Sequence, residues 1–256
     1  MIKVWRSSLL GEKGIHSFFT MRLGGVSSPP YESLNLGMTT GDTPGKVQEN
    51  RRIVEKEEGI KLSALAWQVH GDRVLALKQG TPIPKEPDLP KADAIVSDIS
   101  GLSLAIFFAD CVPVYLWDIR KRAGGLIHAG WRSTLREVVC RAIESMEENF
   151  NSKPADLIAA IGPSIGPCCF EVKSDVWEPF QSKFGKKVLA QKEERIYVDL
   201  WEANFQILLK KGVDAQRIDR ANLCTSCSAD LFFSHRRDKG KTGRMAGVLQ
   251  LPDKNY

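Results

Sequence analysis

Residues 102–132 read LSLAIFFADCVPVYLWDIRKRAGGLIHAGWR, and this stretch decides the fold class. It contains three apolar runs, 102–108, 112–117 and 125–128, of the length and composition of buried strands. The gaps between them are too short for helical crossovers, which need a dozen residues or more. The sheet these runs enter is therefore at least partly antiparallel, with helices packed outside it. Further strand-like runs lie at 15–20, 65–69, 94–96, 157–161 and 244–251. The expected class is α+β, with a mixed, largely antiparallel sheet.

Helical periodicity is clearest just beyond that stretch. Leu135, Val138, Val139, Ala142, Ile143 and Met146 recur at three- and four-residue spacing, with charged residues between them, which predicts one helix over about 132–149. A second helix is bracketed by Thr43 and Pro44 at its start and Gly59 at its end. Two more are expected at 174–184 and 200–211. The proline-rich segment 81–91 reads as an extended surface loop or lid, and no linker divides the chain, so residues 1–256 are expected to form a single domain.

The chain has 256 residues, 43% hydrophobic and 26% charged, with a net charge of +5. That balance excludes extensive disorder and falls short of a dedicated nucleic-acid binder. The most apolar stretch is broken by Asp110 well before the ~18 residues a membrane crossing needs. Residues 1–14 carry Lys3 and Arg6 without a continuous apolar region, which predicts no signal peptide and a cytoplasmic location. Six cysteines are too few for a disulfide scaffold of this size.

Four histidines are present, none paired at helical spacing, so any metal site draws on distant segments. Three segments put a ligand type at the end of an apolar run: the ones carrying His70, Cys111 and His128. Two imidazoles and a thiolate would give zinc three protein ligands and an open position for water, the arrangement of a catalytic site. A strand-end histidine also serves as hydrogen-bonded structure, and a buried cysteine as a small hydrophobe. Arginines beside glycine and aromatic residues, Arg22 and Arg132 above all, are candidate anion ligands. Arg236, Arg237 and Arg244 are grouped near the C-terminus. The Cys224-x-x-Cys227 pair has no second such pair beyond it, and adjacent Cys168 and Cys169 suggest poor ligand geometry, so these four are not expected to act. Cys140 and His16 read as structural.

Taken in order, Phe19-Thr-Met-Arg22-Leu-Gly-Gly, Ser33-Leu-Asn35-Leu-Gly37, Gln68-Val-His70-Gly-Asp72, Ala92-Asp93-Ala94, Ala109-Asp110-Cys111-Val-Pro113, His128-Ala-Gly-Trp131-Arg132, the run 161–169 and Phe233-Ser-His-Arg236-Arg237 with Thr242-Gly-Arg244 resemble the bacterial laccase-domain family. That family, first labelled multicopper polyphenol oxidase, is understood as zinc-dependent purine nucleoside enzymes. The resemblance implies a layered α/β sandwich, related to the catalytic domain of a deamidating toxin. It implies one zinc held by His70, Cys111 and His128, which are also the catalytic residues, and substrate contacts from Arg22, Asn35, Asp93 and Arg132. Implied activities are phosphorolysis of inosine, adenosine and guanosine, with methylthioadenosine as a further candidate, and deamination of adenosine. The implied partners are small molecules, purine nucleosides and phosphate, with neither nucleic acid nor membrane; no oligomeric state follows. His235 stands where many relatives carry tyrosine.

Four isolated histidines cannot build a blue-copper site plus a histidine-rich trinuclear centre. The His-x-Glu and Pro-Cys-x-x-Cys signature of zinc deaminases is also absent. A second enzyme class is a metal-free hydrolase with Cys111 as nucleophile and His128 or His70 as base, acting on amide bonds such as those of cell-wall precursors. Metal content separates the two. A nucleic-acid module built on residues 234–244 ranks last, because that segment lacks interleaved aromatic residues.

Overall fold

The computed structural model describes residues 1–253. A six-stranded sheet runs Ile218–Arg220, Leu157–Ile161, Val112–Asp118, Gly124–Ala129, Ala94–Ser97, Val74–Leu77 in spatial order. Its four inner strands pair antiparallel and its two edge strands parallel, so the sheet is mixed. A four-stranded antiparallel sheet, Val4–Trp5, Ser17–Thr20, Met245–Gln250, Ser103–Phe108, packs over it, and a small three-stranded sheet lies apart.

Alternation along each strand assigns the layers, since successive side chains point to opposite faces. Tyr115 and Trp117 face Leu104, Ile106, Phe108 and Met245 in the core between the sheets, while Val112, Val114 and Leu116 face Val139, Ile143 and Met146 of helix Val138–Phe150. On the far side Ala105, Ala246 and Val248 meet Val54 of helix Pro44–Glu58. The order is helices, sheet, sheet, helix, as expected for a layered α/β sandwich.

Three local expectations are corrected. The runs 102–108 and 112–117 do not pair with each other: Ser103–Phe108 lies in the four-stranded sheet and Val112–Asp118 in the six-stranded one. The chain changes sheets through Ala109, Asp110 and Cys111, with Asp110 at φ 83°, a left-handed conformation uncommon outside glycine. The helix expected over 132–149 is two, Trp131–Leu135 and Val138–Phe150, broken at Glu137 with φ 57°. The break is held from outside: Lys183 donates to the Leu135 carbonyl at 2.7 Å, and Lys183 and Lys210 both pair with the Glu137 carboxylate. Tertiary partners thus outweigh a sequence pattern that favoured continuity. Residues 65–69 form no ladder; Trp67 makes a single bridge to Lys91 and stays half exposed.

Helices Pro44–Glu58, Ser174–Phe184 and Leu200–Lys210 stand where expected, the first ending on Gly59 at φ 66°. Segment 81–91 contains no helix or strand, and among the described residues no helix is long and apolar enough to cross a membrane.

Candidate active site

The change of sheet puts Cys111 at the first position before strand Val112–Asp118, whose register pairs Val112 with Ala129 and Pro113 with His128. Cys111 therefore lies beside Gly130, and His128 points into the space between the sheets, 5.4 Å ring to ring from Phe108. His70 arrives from the loop after Trp67, at φ 56°. One ligand atom from each of His70, Cys111 and His128 lies within 4.8 Å of the others.

Asp93 assembles this trio. Fully buried, it accepts backbone N–H bonds from Val69 at 3.2 Å, His70 at 2.9 Å and Gly71 at 2.7 Å. Its Oδ1 is also 3.0 Å from His128 Nδ1. With Nδ1–H donating to Asp93, Nε2 of His128 is the nitrogen turned to the site, and it offers a lone pair once its own proton is displaced. Burial would raise the Asp93 carboxyl, but the His128 bond and the backbone donors hold it below the usual range.

The electrostatics favour a thiolate. Burial alone pushes the Cys111 thiol up, but His128 and then His70 outweigh burial and bring it to about 6. Burial likewise disfavours the His128 imidazolium, yet Cys111 and Asp93 raise His128 to about 9. The pair rests as thiolate and imidazolium. A divalent cation fits this donor set, because the thiolate is already formed and the ion replaces one imidazole proton. The space is kept open by a glycine: a Cβ at Gly130 would lie 3.0 Å from both Cys111 Sγ and His70 Cδ2.

The trio lines a cavity of about 540 Å³. Trp67, Phe107, Trp131 and Phe170 supply aromatic faces, and Arg51, Arg132, Arg236 and Arg244 supply positive charge. Arg132 stacks on Trp131 at 4.1 Å and has no hydrogen-bond acceptor among the described residues. The other three are partly committed: Arg51 pairs with Glu86 at 2.8 Å, Arg236 donates to the Glu171 carbonyl at 2.7 Å, and Arg244 to those of Thr242 and Gly243. His235 stands at the cavity's exposed side.

Of the four residues expected to touch substrate, Arg132 lines the cavity and Arg22, Asn35 and Asp93 do not. The Arg22 guanidinium donates to the carbonyls of Glu32 and Ala229 and lies over the Phe233 ring at 4.8 Å. Asn35 is fully buried and ties Gly37, Thr40, Asp42 and the Arg244 backbone together. Asp93 stands behind His128. Asp110 lines the cavity and is braced behind it, accepting from Thr225 at 2.6 Å, Ser234 at 3.0 Å and the Arg236 backbone at 2.7 Å. Arg51 and the wall made by Trp67 and Phe107 carried no local sequence signal, because distant segments bring them together.

His16 is structural as expected, with Nε2 2.9 Å from Glu58. The geometric argument made from cysteine spacing does not hold: Cys168, Cys169, Cys224 and Cys227 come together, one sulfur from each within 4.8 Å of the others. Adjacency did not prevent this, because the tight turn closed on the Gly166 carbonyl lets both Cys168 and Cys169 reach Cys227 at 3.4 Å.

Residues 16–252 match the family described as multi-copper polyphenol oxidoreductase laccase. The chain is 33% identical over 262 residues to the Bacillus subtilis protein named purine nucleoside phosphorylase YlmD, covering 99% of this chain and 94% of that one. It is 36% identical over 243 residues to purine nucleoside phosphorylase YfiH of Escherichia coli, covering 93% and 95%. The crystal structure of YlmD from Geobacillus stearothermophilus superposes with a TM-score of 0.87 at 33% identity, covering 94% of this chain and 93% of that one. A Bacillus licheniformis protein titled YfiH gives the same TM-score at 35% identity, covering 93% of each. In sequence, in layer order and in the length matched, this chain belongs to the multi-copper polyphenol oxidoreductase laccase family.

Proposed function

We propose that the protein is a zinc-dependent purine nucleoside phosphorylase that also deaminates adenosine, acting in the reducing cytoplasm as a single-domain enzyme. The observation that carries this reading is the convergence of His70, Cys111 and His128 on a cavity walled by aromatic rings and arginines. Relatives with the phosphorylase name, matched over nearly their whole length, support it. Of the family description, the copper chemistry is the part this chain fits least: His70 and His128 share a site, while His16 is paired with Glu58.

Zinc held by His70, Cys111 and His128 would supply a Lewis acid beside the bound nucleoside. The aromatic walls offer stacking faces for the purine. Arg132, with uncommitted donors, binds phosphate, and the flanking arginines add positive charge. Phosphate oxygen bonds to the sugar's anomeric carbon as the bond to the base breaks, so positive charge on the sugar meets the anion Arg132 holds. Asp93 acts as a positioning residue that fixes the His128 ring, since all its contacts are inside the protein. Inosine, adenosine and guanosine are the expected substrates, and methylthioadenosine is a further one to assay.

Incubating purified protein with inosine and with adenosine, with and without phosphate, tests the reading by product. Base and ribose 1-phosphate should form from inosine only when phosphate is present, and adenosine should yield inosine in its absence. Base release independent of phosphate overturns phosphorolysis. One observation favours a second reading: the Cys111 thiol held at about 6 beside His128 is also a nucleophile and base pair for amide hydrolysis. Active protein without zinc, inactivated by alkylation of Cys111, would establish that reading instead.

A further inference from the structure

We propose that Cys168, Cys169, Cys224 and Cys227 form a second metal site, a closed four-thiolate zinc centre that staples one wall of the cavity. The proposal stands apart from the catalytic reading, since none of its four ligands belongs to the His70, Cys111 and His128 group. Every sulfur lies within 4.8 Å of the other three, and two of the separations are 3.4 Å. A tetrahedral zinc with Zn–S bonds of ~2.3 Å spaces its sulfurs by about 3.8 Å. The four thiols thus already outline the coordination shell of one ion.

The backbone around them is built to the same end. Residues 164 and 224 pair as a parallel bridge, with Ser164 N–H donating to the Leu223 carbonyl and Thr225 N–H to that of Ser164. Ser228 N–H donates to the Cys224 carbonyl, a single turn that sets Cys224 and Cys227 on one side. Gly166 N–H reaches Cys224 Sγ at 3.3 Å, a bond that favours the thiolate a metal needs. A Cβ at Gly166 would lie 2.7 Å from the Trp201 ring and 3.3 Å from Cys168 Sγ, so the turn closes this tightly only without a side chain.

Donor chemistry selects the ion. Four sulfurs with no nitrogen or oxygen leave no open position, which is the composition of a structural zinc and not of a hydrolytic one. A cluster of several irons would spread its thiolates further than a single ion does. Four thiolates around a divalent ion carry net negative charge, and two guanidiniums stand against the same backbone: Arg236 donates to the Cys169 carbonyl at 3.4 Å and Arg237 to that of Thr225 at 2.9 Å. Cys168 and Cys227 are exposed, which gives the ion a way in.

Placement gives the centre its consequence. One strap it joins continues into Phe170 and includes Ile165, both in the cavity wall, and Ile165 N–H donates to the Asp110 carbonyl. The other includes Thr225, which bonds the Asp110 carboxylate next to Cys111. A zinc here would join the two segments that hold Asp110 from either side.

Elemental analysis of the full-length protein, its His128→Ala variant and its Cys227→Ser variant tests the proposal. The expected zinc content is two per chain in the first and one in each variant. If the active-site reading alone fails, the parent chain holds one zinc that His128→Ala retains and Cys227→Ser loses. Should Cys227→Ser not fold, alkylation of the parent chain followed by mass spectrometry decides: the four thiols should be protected until a chelator is added. No zinc retained in His128→Ala, iron in its place, a disulfide among the four, or free alkylation of all four before chelation overturns the proposal.

Discussion

The two thiol-bearing clusters of this protein differ in where their side chains come from. His128 and Cys111 sit at the ends of neighbouring strands whose register fixes them side by side, and Asp93, one residue before the next strand, pins His128 and the His70 backbone. The four-cysteine cluster is carried entirely by turns, held by a single bridge between residues 164 and 224. The first opens on a cavity and mixes nitrogen with sulfur; the second has only sulfur and lies outside the cavity lining. A sheet-borne site with an open face suits turnover, and a turn-borne site of one donor type suits cross-linking.

The largest effect that would break this contrast is expected at Cys111. Cys111→Ser removes a soft ligand, and nucleoside turnover should fall by more than about a hundredfold, beyond what loss of a supporting outer residue usually costs. Zinc should drop by one per chain with the circular dichroism spectrum unchanged. Full activity in the serine variant would separate Cys111 from the chemistry altogether.

Reactivity sharpens the contrast further. In chelator-stripped protein the Cys111 thiol, at about 6, is mostly thiolate at pH 7, while burial and the Glu144 carboxylate hold Cys140 above its ordinary value. Iodoacetamide should therefore label Cys111 well before Cys140, and its rate should lose half its value as pH falls to about 6, where the thiolate is protonated. The preference should be on the order of tenfold, because low-pKa thiolates are also weaker nucleophiles. Equal rates at both positions would mean that His128 and His70 do not hold the thiolate.

These two clusters also mark how far the sequence could be read. Runs such as 112–117 and 157–161, apolar on both faces, announce central strands, and Thr43, Pro44 and Gly59 bracket a helix through local chemistry alone. The convergence of His70, Cys111 and His128 was legible because each ends an apolar run. The jump between sheets at Asp110 was not, since a three-residue gap reads the same whether the strands pair or cross. Arg22 and Asn35 look like binding residues locally, and only the folded chain shows that they also bond to backbone carbonyls and loop side chains outside the cavity lining. The cysteine cluster escaped for the same reason: its halves are joined by a pairing across some sixty residues.

For Arg132 the expected effect is selective. Arg132→Ala should raise the phosphate KM of inosine cleavage tenfold to a hundredfold, the ~1.5 to 3 kcal/mol of a charge-assisted bond, with a much smaller change in the inosine KM. Adenosine deamination consumes no phosphate and should suffer less. Equal losses in the two reactions would return Arg132 to a surface role stacked on Trp131.

The smallest effects expected come from two glycines, one at each cluster. Gly130 has φ −71° and ψ 172°, a conformation alanine adopts without strain, so Gly130→Ala should leave Tm unchanged or slightly higher through a less flexible unfolded chain. Its new methyl would nevertheless stand 3.0 Å from Cys111 Sγ and His70 Cδ2, and both must shift by a few tenths of an ångström. A displacement of that size should weaken zinc at the His70, Cys111 and His128 site about tenfold, at the low end of what disturbing ligand orientation costs. Gly166→Ala places its methyl against Trp201 and Cys168, so it should weaken the four-thiolate zinc and leave the other ion in place. Competition with a chromophoric chelator reads both affinities in one titration. The clusters are independent if each alanine moves one affinity only; a shift of both ions by either substitution would show that the segments meeting at Asp110 transmit strain between them, and the contrast between a catalytic and a cross-linking site would have to be redrawn as one coupled unit.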